Sequence, residues 1–229
     1  VIALARIPVA RLSRTPRAWL GAAVWFLLAL WLAFGARRSG AAHGADRVLL
    51  DGYAGYALPL LAYTIVGAAL GGGSLAAAIA PVVTFGASRR RAALATLGAA
   101  VVGCAVAAGV LAAVVAAVAH GDGDPPRLRD ALVSGYAGLV GGAAYASWYA
   151  FGASLGRRGG GRVALLVLDF LAAGSDGVFA LATPRAHVAN LLGGAAVMGW
   201  PERGSAAALV GMTALFGALA TYRAGRPDR

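Results

Sequence analysis

The sequence predicts an all-α membrane protein, a single transmembrane domain over residues 1–229. Three observations carry this expectation. Six long apolar stretches fill almost the whole chain, the connections between them are short, and the charges are few and lopsided. Hydrophobic residues make up 60% of the chain and charged residues only 13%, whereas a soluble domain is about 25% charged. A helix needs ~20 mostly apolar residues to cross the hydrocarbon core, where no water can satisfy a broken backbone. Too little remains outside such stretches to build a soluble domain.

The leading segment, VIALARIPVARLSRTPR, is not a span. On a helical wheel Arg6, Arg11, Arg14 and Arg17 share one sector, and Ile2, Leu4, Val9 and Leu12 lie mostly elsewhere. It is expected as an amphipathic helix on the membrane surface, interrupted by Pro8 and Pro16. Six spans are expected at Ala18–Phe34, Tyr53–Ile79, Ala93–Ala119, Ala131–Leu155, Val163–Ala182 and Ser205–Tyr222. The first has basic residues before it and small residues after it, at Gly35 and Ala36, as a signal peptide would. It outruns the ~7–15 apolar residues of a signal-peptide core, so it reads as a retained anchor. Glycines at helical spacing (Gly67 and Gly71; Gly135, Gly138 and Gly142; Gly211 and Gly217) predict closely packed helices. The segment RAHVANLLGGAAVMGW is apolar but short for a span, and is expected as a re-entrant segment between spans five and six.

The net charge is +11, and all 20 basic residues are arginine. With the N-terminus inside, the cytoplasmic pieces hold 13 arginines, among them Arg89 to Arg91, Arg157, Arg158, Arg162 and Arg223, against the single acid Asp228. The opposite side holds 7 arginines (Arg37, Arg38, Arg47, Arg127, Arg129, Arg185, Arg203), balanced by Asp46, Asp51, Asp122, Asp124, Asp130 and Glu202. Basic loops stay cytoplasmic, so both termini are expected inside a bacterial inner membrane. The basic excess is then a topology signal, and no nucleic-acid partner is expected.

Chemistry is restricted by what the chain lacks. Without lysine it can form neither a P-loop nor a Schiff base. A single cysteine, Cys104, excludes an internal disulfide. Asp169 and Asp176 are seven residues apart, on one helical face and ~10 Å apart along the axis. An aspartate at mid-membrane costs ~2.5–3.5 kcal/mol, so both are candidate translocation-path residues. No lysine or histidine stands out as a partner, and the structural alternative is that Asp169 caps a neighbouring helix or faces a wet cavity. His43, His120 and His187 fall in three separate outer segments without ligand spacing. Asp122 and Asp124 lack the rest of a calcium loop and read as a solvated turn. No metal and no cofactor is expected. Gly152-Ala-Ser154-Leu-Gly156 matches G-x-S-x-G but ends a span rather than a strand.

The order of parts is informative. RLSRTPRAWL leads into span one, and GGGSLAAAIAPVVTFGASRRRAALA joins spans two and three. A short basic loop divides spans four and five, and TPRAHVANLLGG precedes span six. This layout, with Gly86-Ala87-Ser88-Arg89 as its most telling piece, resembles the permease subunit of type-2 ABC transporters. The resemblance implies a non-catalytic subunit that pairs with a second permease copy, homo- or heterodimeric, and docks on cytoplasmic ABC ATPase subunits. It implies that Phe85, Gly86, Ala87, Ser88, Arg89, Arg90 and Arg91 form the ATPase-coupling segment. It also implies that Arg11, Arg14 and Arg17 belong to the interface helix, and that TPRAHVANLLGG closes the exit.

Two alternatives stand beside it. Ser134 opening span four and His187 after span five resemble the rhomboid proteases, although Leu132 stands where that pattern has glycine and no His-x-x-x-Asn occupies span two. The other alternative is a membrane assembly protein without transport.

Overall fold

The computed structural model describes residues 2–40, 43–156, 159–172 and 177–226, and among these it contains helices and no strand. In order they are α1 (Ile2–Arg14), α2 (Pro16–Ser39), α3 (Gly44–Arg47), a π-helical stretch (Val48–Ala57), α4 (Leu58–Ala69), α5 (Leu75–Thr84), α6 (Arg89–Ala119) and α7 (Arg127–Ala153). There follow α8 (Gly161–Ala172), α9 (Val178–Leu181), α10 (Pro184–Leu191), a 3-10 turn (Val197–Gly199) and α11 (Glu202–Gly225). Among the described residues four helices are long and apolar enough to cross a bilayer: Trp19–Ser39, Gly44–Ala69, Arg89–Ala119 and Glu202–Gly225. That fits a multi-pass membrane protein.

α2 starts on Pro16 and stops at Gly40, whose left-handed backbone lets its N–H return to the Arg37 carbonyl. It turns Ala29 and Ala33 inward and leaves Trp19, Leu27, Trp31 and Phe34 exposed. An apolar outer surface of this kind suits lipid. The rod Gly44–Ala69 widens to π geometry just before Pro59, where the Leu58 N–H reaches back to Tyr53. Proline has no N–H and collides with the carbonyl four residues earlier, and a wider turn relieves both.

The centre of the bundle is the α6–α7 pair. A Cβ on Gly142 would sit 2.6 Å from the Cys104 carbonyl, and one on Gly138 2.6 Å from that of Ala108. These glycines let the two backbones touch, as their spacing predicts. α7 has 27 residues, 15 of them buried. It is shielded by its neighbours and built from Gly, Ala, Ser and Tyr, so it is long enough to span without being strongly apolar.

α6 has 31 residues and so measures ~46 Å, some 16 Å more than a hydrocarbon core. At its Arg89 end α1 and α5 pack around it: Ile7, Pro8 and Arg11 lie beside Ala78, Val82, Ala92 and Thr96. This is termed the arginine end below, and the end at Ala119 the far end.

Several expected boundaries are corrected. The second span does not reach Ile79: Gly71 and Gly72 take left-handed backbone, and Leu75–Ile79 belongs to α5. Gly67 and Gly71 therefore form no helix–helix face. Asp51 lies in the π-helical stretch rather than in a loop. The expected fifth span is not one helix: α8 is described over 12 residues, ~18 Å, and α9 starts afresh from an extended Gly177. α1 runs through Pro8 unbroken, and only Pro16 marks a boundary.

Candidate functional site

Asp169 is fully buried, on the inward face of α8. Its partner is Arg185, on α10, whose Nε donates to Oδ2 at 3.1 Å. Nη2 of Arg185 lies 3.0 Å from the same oxygen. The Tyr145 hydroxyl, from α7, sits 3.0 Å from each carboxylate oxygen. Arg185 follows Pro184 at the start of α10. It lies in the first turn of α10, where unpaired N–H groups and the helix dipole favour an anion. Asp169 thus pairs with a charge in the first turn of a neighbouring helix. The Arg185 guanidinium lies over the Phe170 ring, 4.3 Å from its centroid, where the ring face attracts the cation.

A column of rings leads away from this pair. Tyr145 stacks on Tyr149 with centroids 5.7 Å apart, and Tyr149 meets Tyr63 edge-on at 5.6 Å. The Arg162 guanidinium covers the other face of the column, 4.9 Å from the Tyr63 centroid. Gly67 makes room for it: a Cβ there would lie 3.0 Å from the Arg162 Nη1. Arg162 is buried at the start of α8 rather than free in a loop. Two buried arginines therefore bracket three tyrosines between α4, α7, α8 and α10.

α10 sits against the middle of α7, where a Cβ on Gly141 would lie 2.6 Å from a Val188 methyl. A second polar cluster pins it there. His187 is fully buried. Its Nε2–H donates to the Leu181 carbonyl at 3.1 Å, so its Nδ1 accepts from the Ser205 hydroxyl at 3.1 Å. Burial pushes the imidazole's pKa down, consistent with this neutral form. Asn190 donates to both Ser205 Oγ, at 2.8 Å, and the Trp200 carbonyl, at 3.0 Å. Ser205 is buried and its oxygen is already engaged by Asn190, so the hydroxyl–imidazole pair is a fastening between α10 and α11. Ser134 has a different neighbour: its hydroxyl lies 3.5 Å from Asp130. Burial raises the pKa of that carboxyl, with Asp124 and Asp46 pushing the same way.

At the arginine end, Phe85 is 92% exposed and follows the last turn of α5. Gly86 takes left-handed backbone, and Ser88 caps α6 by accepting from the Arg91 N–H at 3.3 Å. Arg89, Arg90 and Arg91 fill the first turn of α6, where the helix dipole repels cations. Arg37 and Arg38, by contrast, sit in the last turn of α2, where the dipole welcomes them. Arg11 ties α1 to α5 by donating to the Ala78 carbonyl at 3.0 Å, while Arg14 is exposed. Beside this surface a groove of about 650 Å³ runs between α6 and α11, apolar along Leu94, Leu97 and Ala218, with Arg90 and Arg226 at one end.

The structure thus brings Asp169 to Arg185, a residue that charge counting assigns to an outer loop. Asp176 and the side chain of Arg17 lie outside the described residues. The column Tyr63–Tyr149–Tyr145 and the fastening His187–Ser205–Asn190 carry no sequence signal of their own. No protein-family model matches the chain, and no curated protein or solved structure resembles it at a significant level.

Proposed function

We propose that this chain is the membrane-spanning permease subunit of an ATP-driven exporter, powered by a separate cytoplasmic ABC ATPase. The observation that carries the reading is the arginine end. Three consecutive arginines occupy a helix start that electrostatics disfavours, next to a bare phenylalanine, on the longest rod of the bundle. Charges placed against their own helix dipole weaken the fold slightly, and a partner surface offsets that cost. The chain has no lysine, hence no P-loop of its own, so the work of nucleotide hydrolysis falls to the partner. Phe85 to Arg91 would be the coupling segment, and Arg11, Arg14 and Arg17 would steady the interface helix beneath it.

In this reading the bundle crosses the membrane six times with both termini cytoplasmic. α7 supplies the fourth crossing, and α8 with the segment after it the fifth. α10 is the re-entrant segment that closes the exit, supported by its seat against the middle of α7. Asp169 and Arg185 latch it to α8. ATP binding closes the ATPase pair, draws the arginine ends of two permease copies together and favours the outward-open state, a rigid-body change driven by differential affinity. The groove between α6 and α11 suits an amphiphile with an anionic head.

The double variant Arg89→Glu, Arg90→Glu tests the coupling role. Both side chains are at the surface or half-buried, and acids at a helix start are favoured by ~0.3–1 kcal/mol each. The variant should melt at or slightly above the wild-type temperature in micelles yet lose most ATPase-dependent transport. A fully active variant would remove the coupling role.

A further inference from the structure

At the far end of the bundle three acidic and two histidine side chains from separate segments gather. His43 precedes α3, Asp46 is within it, His120 ends α6, Asp124 is in the following turn and Asp130 opens α7. His43 Nδ1 lies 3.6 Å from Asp46 Oδ2 and 3.9 Å from Asp124 Oδ1. One ligand atom from each of these three residues falls within 4.8 Å of the others.

A further observation points to a ligand. The Asp124 side chain is only 1% exposed. Its Oδ2 accepts from the Gly121 N–H at 2.9 Å, but its Oδ1, turned to His43, has no hydrogen-bond donor among the described residues. Nδ1 of His120 and Oδ2 of Asp130 are likewise buried without a donor or acceptor among them. A buried carboxylate oxygen without a partner is costly. His43 itself takes left-handed backbone, at φ 55, where a glycine would rest without strain.

We propose that His43, Asp46 and Asp124 form a binding site for a divalent transition-metal ion, zinc foremost. The ligand set is one nitrogen and two carboxylate oxygens. At bond lengths of ~2.0–2.2 Å, tetrahedral ligands lie ~3.4 Å apart, so the two distances from His43, 3.6 and 3.9 Å, need a contraction of a few tenths of an ångström, and the two carboxylates, within 4.8 Å of each other, draw together around the ion. Two carboxylates neutralise a dication. The imidazole favours zinc or cobalt over calcium and magnesium, which take oxygen ligands. Three protein ligands leave a fourth position for water, with His120 and Asp130 behind it. A bound ion would clasp the turn between α2 and α3 to the turn between α6 and α7, joining segments 81 residues apart in sequence (124 − 43).

The test uses the full chain without a histidine tag, in lipid nanodiscs, stripped with a chelator and titrated with zinc, cobalt, calcium and magnesium. Zinc should bind with one-to-one stoichiometry and raise the melting temperature. Cobalt should give the intense visible bands of a four-coordinate ion, and calcium and magnesium should do neither. His43→Gly removes the ring and suits the local backbone, so the metal-free variant should melt at or above the wild-type temperature. Its zinc affinity should nevertheless fall by more than the ~10–100-fold typical of losing an outer-shell group. Asp124→Asn should weaken zinc binding as well. No saturable zinc binding to the wild type, or unchanged affinity in His43→Gly, would overturn the proposal. These readouts need neither an ATPase nor transport, so they stand apart from the permease reading.

Discussion

Asp169→Ala is expected to destabilise the folded chain by about 3–5 kcal/mol, because it strands a buried charge. The carboxylate is the only anion facing the Arg185 guanidinium among the described residues, and it lies beside the first turn of α10, where the helix dipole favours an anion. Arg185 keeps its proton, as guanidinium groups in proteins do, and only 10% of its side chain reaches solvent. Tyr145 would lose its acceptor in the same step. The partner variant separates stability from function. Asp169→Leu combined with Arg185→Met removes both charges while filling similar volume, and such replacements are often neutral or stabilising. Unfolding in mixed micelles should show the single variant collapsing early and the double variant near the wild type. If the pair latches the exit, the double variant should fold well yet transport poorly or leak. A single variant as stable as the wild type would mean that Arg185 finds another partner.

Gly142→Leu should be the most damaging change in the bundle's centre. A Cβ at this position would lie 2.6 Å from the Cys104 carbonyl and 2.8 Å from the Ala108 Cβ. These are backbone and near-backbone atoms that cannot swing aside, so α6 and α7 must separate along their length. Overpacking costs ~1–3 kcal/mol, occasionally more, and rigid neighbours place this site at the upper end. Gly211→Ala is the matched control. Nothing lies within 4 Å of its Cβ position, and replacing glycine by alanine inside a helix gains ~0.5–1 kcal/mol. Opposite signs for two glycines on comparable helices would be read directly from melting temperatures.

The helical membrane class was legible because apolar length and scarce charge are properties of the whole chain. α2, α6 and α11 fall where hydropathy puts them, and Gly138 and Gly142 pack as their spacing suggests. Hydropathy cannot see a break between two apolar pieces, so α8 and α9 were read as one span. The break after Ala69 did carry a signal, in the run Gly71-Gly72-Gly73-Ser74, where glycine can take left-handed backbone and serine caps the next helix. The partner of Asp169 was hidden by charge counting, which treats every loop arginine as solvated. Arg185 follows Thr183-Pro184, a helix start, inside an apolar segment, and that was the available clue. Asp124 was read as part of a solvated turn, but its side chain is buried against His43. Such a contact depends on how α2 and α6 end beside each other, which local sequence does not encode.

The central claim is that this bundle borrows its motor. A tagged chain isolated from its native membranes in a mild detergent, and analysed by mass spectrometry and for ATP hydrolysis, addresses it most directly. The account predicts a stoichiometric ATPase carrying a P-loop, lost in the Arg89→Glu, Arg90→Glu variant. A folded chain that never retains such a partner, in several detergents and in nanodiscs, would contradict it.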